Sequence, residues 1–241
     1  AVYLSANDMQ LGRGETVADT ARVLSRYADG IMARVFGHGD IVTLAKYASV
    51  PVINGLSDFS HPCQAVADYL TILEHKGRLE GLTLAYIGDA NNVTNSLVFG
   101  AAKLGANVAV ASPEGYTLDQ KVIALSREDA RSSGSRITVL KDPCEAVKNA
   151  DVIYSDVWTS MGQEKEREIR LKAFQGYQID LKLFESAKKD AIFMHCLPAH
   201  RGEEVTDDVC DHERSVIFDQ AENRLHAQMA ILCRLMGKAG K

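Results

Sequence analysis

Short apolar runs alternate with amphipathic stretches along almost the whole chain, and that alternation permits few architectures. Val17, Ala21 and Leu24 recur with helical spacing over residues 16–27. A buried run follows at 30–35, a helical stretch at 40–48 and another apolar run at 50–53. Residues 61–75 form a long helical stretch with Ala65, Tyr69, Ile72 and Leu73 along one side, closed by Gly77 and Gly81. A second alternation then begins. Strands are expected at 82–87, 108–111, 137–140, 152–154, 191–195 and 216–218. Helices are expected at 92–104, 119–132 and 143–149, with a last one over 221–236. Strands separated by helices build parallel sheets. The expectation is an α/β protein with two parallel-sheet units joined by the 61–75 helix.

Composition narrows the function classes. The chain has 241 residues, 46% of them hydrophobic and 24% charged, which excludes a disordered tail or a coiled-coil rod. The formal net charge of -5 argues against a general nucleic-acid surface, yet a few arginines can still hold an anionic small molecule. No apolar run approaches the roughly 18 residues of a membrane helix. Five scattered cysteines, Cys63, Cys144, Cys196, Cys210 and Cys233, form no CxxC pair and point to a reducing, cytoplasmic compartment. The opening Ala1-Val2-Tyr3-Leu4 lacks an initiator Met and reads as a strand under way, the trailing part of a longer chain.

Ligands of parallel sheets sit at the carboxyl ends of the strands, and here those ends carry reactive groups. Arg34 lies inside the run IMARVF, either as an anion clamp or as an edge residue whose stem packs while its head reaches water. His61-Pro62-Cys63-Gln64 opens a helix that Ser60 or Asp58 could cap, and a neutral His61 there could polarise a carbonyl. Gly88-Asp89-Ala90-Asn91-Asn92 fails the dinucleotide fingerprint at Ala90 and Val93, and instead places amides at a helix start. Asp156 either pairs with an amine or caps a turn. His195 and Cys196 lack the ligand spacing of a structural zinc site, and a covalent Cys196 would need a base that the sequence does not locate. The stretch GQEKEREIR at 162–170 reads as a solvated face or as a lid beside a site.

Taken together, HPCQ at 61–64, DVWTSMG at 156–162, HCLPAHRGEEV at 195–205, GDANN at 88–92 and AENR at 221–224 resemble the motifs of the ornithine carbamoyltransferases, and the resemblance spans essentially the whole chain. It implies a carbamoyl-phosphate domain, incomplete here, and an ornithine domain, divided as residues 1–76, 77–220 and a helix at 221–241 returning to the first domain. It implies the substrates carbamoyl phosphate and L-ornithine, no metal or organic cofactor, and a homotrimer or a multiple of trimers. Gln10, Arg34, His61 and Gln64 fall on carbamoyl-phosphate positions. Cys196, Leu197 and Arg224 fall on positions that contact the carbamoyl group. Asn92, Asp156, Ser160 and Met161 fall on ornithine positions. Arg34, His61, Asp156 and Cys196 are the residues expected to carry catalysis. The family's SxRTR phosphate motif is not found, and Thr20-Ala21-Arg22 is no substitute. A polypeptide starting at Ala1 is therefore expected to bind carbamoyl phosphate weakly and to associate through an uncovered first sheet. A transcarbamylase acting on aspartate, putrescine or an acylated ornithine, or a chain that binds without turnover, are the competing readings.

Overall fold

The computed structural model describes residues 1–5, 14–160 and 162–237. Gln10 and Met161 lie outside the described residues. The first unit contains helix α1 (Val17–Leu24), strand β1 (Ile31–Arg34), helix α2 (His38–Tyr47) and strand β2 (Val52–Leu56), with β1 and β2 paired in parallel. Thr16 caps α1 by accepting from the Asp19 N–H at 3.1 Å, as a hydroxyl at a helix start should. The pairing of β1 with β2 shifts by a residue between Ala33 and Arg34, at the carboxyl end of the pair. The expected opening strand is not formed. Val2 and Tyr3 are 87% and 91% exposed, and no strand of the described residues lies beside them to satisfy their backbone groups.

Helix α3 (Pro62–Lys76) leaves this unit, with Pro62 in its first turn and Gly77 closing it at φ +71. The second unit is a parallel sheet of five strands in the order β5-β4-β3-β6-β7: β3 (Thr83–Ile87), β4 (Asn107–Ala111), β5 (Ile137–Leu140), β6 (Val152–Ser155) and β7 (Ile192–His195). Helices α4 (Asn92–Leu104), α5 (Gln120–Ser133), α6 (Pro143–Val147), α7 (Arg167–Ala173) and α8 (Leu181–Glu185) make the crossovers, and the short α9 (Asp207–Cys210) follows the sheet. Both faces of the sheet are covered, which is why its strands read as unbroken apolar runs. Leu84, Tyr86, Val110 and Tyr154 point into a core with Tyr69, Leu97 and Val122. Ala85, Ile87, Ile153 and Phe193 point into a second core with Val147, Phe184 and Val209.

The last expected strand is also corrected. Residues 216–218 do not pair as a strand. Ser215 makes one bridge beside Phe193, and the chain then enters helix α10 (Ile217–Met236). One bridged residue cannot carry a ladder, whereas Ile217, Gln220, Asn223 and Ala227 are buried at helical spacing. Helix α10 packs along α3. The two units are stitched together where α4 meets the start of α3. The Ser96 hydroxyl accepts from the His61 N–H at 2.8 Å, and Asn95 Nδ2 donates to the Phe59 carbonyl at 2.9 Å. A Cβ at Gly100 would overlap the Tyr69 ring, so glycine is what lets these helices approach. Among the described residues no helix is long and apolar enough to cross a membrane.

Candidate active site

The chain of the second unit starts at β3, winds outward to β5, then returns to β6 on the other side of β3. That reversal opens a crevice outside the carboxyl ends of β3 and β6. A hydrogen bond spans it: Asn91 Nδ2, after β3, donates to Asp156 Oδ2, after β6, at 2.7 Å. Asn91 can do this because its other amide atom is already used. Its Oδ1 caps α4, accepting from the Val93 and Thr94 N–H groups. Asp156 Oδ1 accepts from the Val157 N–H at 2.8 Å and from the Cys196 thiol at 3.1 Å. Burial, and then the adjacent Asp156 charge, push the Cys196 thiol well above its ordinary value. It is a protonated donor, not a thiolate nucleophile.

The start of α3 supplies the facing wall. His61 is the N-cap residue but caps nothing with its side chain. The expected caps serve elsewhere: Asp58 accepts from the His38 N–H at the start of α2, and Ser60 accepts from Asn54. His61 is 7% exposed, and its Nδ1 has no partner among the described residues. Burial lowers its pKa to about 4, helped by the positive charges of Arg224 and Arg34 and opposed by Asp156. The imidazole is therefore neutral at physiological pH, and it senses both walls of the crevice. Arg34 is exposed at the end of β1. Arg224, on α10, donates through Nη1 to Gln64 Oε1, while its buried Nε has no partner among the described residues.

Several supports of this site were not singled out in the sequence. Asp68, wholly buried one turn beyond Gln64, is raised to about 7 by burial, against hydrogen bonds from Gln64, Gln220 and Tyr154. Arg170 belongs to the polar stretch expected to be a solvated face or a lid, yet it is buried. Its Nη1 donates to Asp89 Oδ2 at 2.8 Å and to the Trp158 carbonyl at 3.0 Å, and its guanidinium lies over the Tyr116 ring. Arg170 thereby ties the loop after β6 to the loop after β3. Burial still lifts Asp89 to about 6 in spite of this partner. After β7, His195 Nδ1 accepts from the Leu197 N–H at 2.9 Å, which leaves Nε2 to face buried Glu204 at 3.2 Å. Leu197 is held at φ +54, a costly conformation for a side chain with a Cβ.

The structure thus brings Asp156 and Cys196 into direct contact, and Gln64 and Arg224 likewise, with His61 within reach of the charges of Arg34, Arg224 and Asp156. It does not bring Asn92 to Asp156. Asn92 Nδ2 donates instead to the Ser57 carbonyl at 2.7 Å, and its neighbour Asn91 takes the contact. The half-buried Ser160 is anchored by its N–H to Gln163 Oε1 at 3.0 Å. Asp156, His195 and Cys196 could each point one ligand atom at a common metal ion. The donor set is poorly suited to one, because the thiol is held protonated and His195 is engaged through both nitrogens.

A neutral imidazole that senses two guanidiniums on one wall, and a carboxylate–thiol pair on the other, line the crevice, so positive charge there can hold an anion and the carboxylate a cation. This is a two-domain α/β fold, and these residues meet where its parallel-sheet units join. The family model for the carbamoyl-P binding domain of aspartate/ornithine carbamoyltransferase matches residues 1–74, and that for the Asp/Orn binding domain matches residues 80–235. The chain belongs to the aspartate/ornithine carbamoyltransferase family. It is 66% identical to the ornithine carbamoyltransferase of Thermococcus kodakarensis, over 98% of this chain and 75% of that relative. It is 62% identical to the anabolic ornithine carbamoyltransferase of Pyrococcus furiosus over the same shares. The solved structure of ornithine carbamoyltransferase from Pyrococcus furiosus superposes with a TM-score of 0.95 at 62% identity, covering 99% of this chain and 76% of that one. The anabolic enzyme of Campylobacter jejuni gives 0.90 at 42% identity, covering 96% and 77%.

Proposed function

We propose that this chain is an ornithine carbamoyltransferase. It moves the carbamoyl group of carbamoyl phosphate to the δ-amine of L-ornithine, giving L-citrulline and phosphate for arginine biosynthesis. The observation that carries the reading is the Asp156–Cys196 pair facing the neutral His61, with Arg34 and Arg224 beside it. An alkyl amine titrates near 10.4, so little of it is neutral at physiological pH. Asp156 holds the amine groups of ornithine, and the Cys196 sulfur orients the attacking nitrogen. Attack forms the N–C bond and a tetrahedral oxyanion, to which His61 donates a hydrogen bond while Arg34 and Arg224 supply positive charge. The C–O bond to phosphate then breaks, the leaving phosphate takes the electron pair, and it accepts the proton that the attacking nitrogen gives up. Gln64 and Leu197 line the carbamoyl-phosphate side; Asn92, Ser160 and, outside the described residues, Gln10 and Met161 complete the substrate set.

The reading includes a homotrimer or a multiple of trimers in the cytoplasm. Five unpaired cysteines fit a reducing compartment, and exposed Met32, Phe36, Leu225 and Met229 offer apolar surface for like subunits. The deciding measurement is kcat/KM for ornithine, putrescine, aspartate and an acylated ornithine. Ornithine is expected to exceed each by about 100-fold or more. A preference for aspartate overturns the assignment.

Cys196→Ser separates an orienting thiol from a covalent one. Because the thiol is protonated, the substitution is expected to raise the KM for ornithine and slow turnover about tenfold, or ~1.4 kcal/mol, without abolishing citrulline formation. A carbamoyl-cysteine adduct at Cys196, seen by mass spectrometry, would contradict this.

A further inference from the structure

We propose that Asp68 is a positioning residue whose buried Oδ1 sets the direction of two glutamine amides and so aligns both halves of the site. The inference rests on the carbamoyl-transfer reading. Asp68 lies one helical turn beyond Gln64 on α3 and is fully buried. Its Oδ1 accepts from Gln64 Nε2 at 2.8 Å and from Gln220 Nε2, on α10, at 2.7 Å. Its Oδ2 faces the Tyr154 hydroxyl, on β6, at 3.1 Å.

A glutamine side chain has an oxygen end and a nitrogen end of nearly equal shape, so packing alone does not choose between them. An oxygen that only accepts does choose. With its NH2 turned to Asp68, Gln64 must present Oε1 to the Arg224 guanidinium, and it does. With its NH2 turned to Asp68, Gln220 must present Oε1 away from it, where it accepts from the His195 N–H at 2.8 Å, one residue before Cys196. The first chain of contacts ends on Arg224, beside His61. The second ends on the main chain that carries Cys196, beside Asp156. Residues from both family-model matches thus converge on one carboxylate. Protonation does not undo the arrangement: a proton on Oδ2 can be given to Tyr154, and Oδ1 accepts in either state. Without Oδ1, a flipped Gln64 would set a donor against the donors of Arg224, and a flipped Gln220 would do the same to the His195 N–H.

The alternative is that Asp68 serves stability alone. Two substitutions distinguish the cases. Asp68→Asn can keep an oxygen under both glutamines while losing the Tyr154 acceptor; Asp68→Ala removes it. For folded protein, Asp68→Ala is expected to lower kcat about 30-fold, with a smaller change in either KM, and Asp68→Asn to stay within about fivefold of the parent. Side-chain NH2 resonances of Gln64 and Gln220 should remain protected from exchange in Asp68→Asn and lose protection in Asp68→Ala. Equal rates in both variants, or a stability loss without a kcat loss, overturn the inference. If Asp68→Ala does not fold, Gln220→Met carries the test. It frees the His195 N–H and should lower kcat/KM for ornithine about tenfold; an unchanged value overturns the inference. The parent chain is the control for the reaction itself. A parent that forms no citrulline counts against the proposed function, while the amide resonances still decide the role of Asp68.

Discussion

Replacing His61 with alanine is expected to lower kcat by about 10²–10³-fold, or ~3–4 kcal/mol, while the KM for ornithine changes little. The size follows from where the ring sits. A hydrogen bond donor aimed at a developing oxyanion acts most strongly where water is excluded, and the ring is buried at the helix start with Nδ1 unpartnered among the described residues. Because the imidazole is neutral, it assists without competing for the negative charge that Arg34 and Arg224 attract. His61→Asn, which keeps an N–H donor, should recover part of the loss. A rate for His61→Ala within about fivefold of the parent would remove His61 from the mechanism.

The same substitution has a second readout. The folded pKa of His61, about 4, lies below the ordinary 6.5. Between those values the unfolded chain takes a proton that the folded protein refuses. The stability linked to neutral His61 is complete above pH 6.5 and is lost as pH falls toward 4, by up to about 3 kcal/mol. Urea unfolding between about pH 4 and 7 should therefore show a shallower acid loss in His61→Ala than in the parent, and an imidazole titrating near its ordinary value would refute the neutral ring.

Much of this site was legible in the sequence because its motifs are local. HPCQ, DVWTSMG and HCLP each sit at one strand end or helix start, where the parallel-sheet rule already places ligands. The supports were not legible because they are made across long separations. Gln220 and Asp68 are 152 residues apart, as are Asn223 and Thr71. One signal was available: Gln220, Asn223 and Arg224 share a helical face, and that spacing argues for the helix that replaces the expected strand at 216–218. Arg170 is the exception in a charged run whose other residues are mostly exposed, as such runs usually are; only the fold shows Asp89 and Tyr116 beside it. That Asn91 rather than Asn92 reaches Asp156 follows from Asn91 being the residue that caps α4, a matter of one position that periodicity does not resolve.

Asp156→Asn is expected to have the largest effect of all, lowering kcat/KM for ornithine by about 10³-fold or more, ~4 kcal/mol, with carbamoyl phosphate binding far less affected. The carboxylate accepts from three donors, Asn91 Nδ2, the Val157 N–H and the Cys196 thiol. An amide offers one oxygen and one NH2, so its NH2 meets either the Asn91 amide or both the Val157 N–H and the Cys196 thiol, donor against donor. The substitution also removes the negative charge that holds the amine. Exchanging the pair, Asn91→Asp with Asp156→Asn, separates the two causes. Aspartate is as good a helix cap as asparagine. The carboxylate introduced after β3 can accept from the amide introduced after β6, so the bond across the crevice returns with its direction reversed. The exchange should restore most of the thermal stability lost in Asp156→Asn. It should leave kcat/KM for ornithine low, because the charge now lies after β3 and away from the Cys196 thiol. Recovery of the full rate would mean that the crevice needs only a hydrogen bond at Asp156, and the carboxylate would lose its place as the group that holds the ornithine amines.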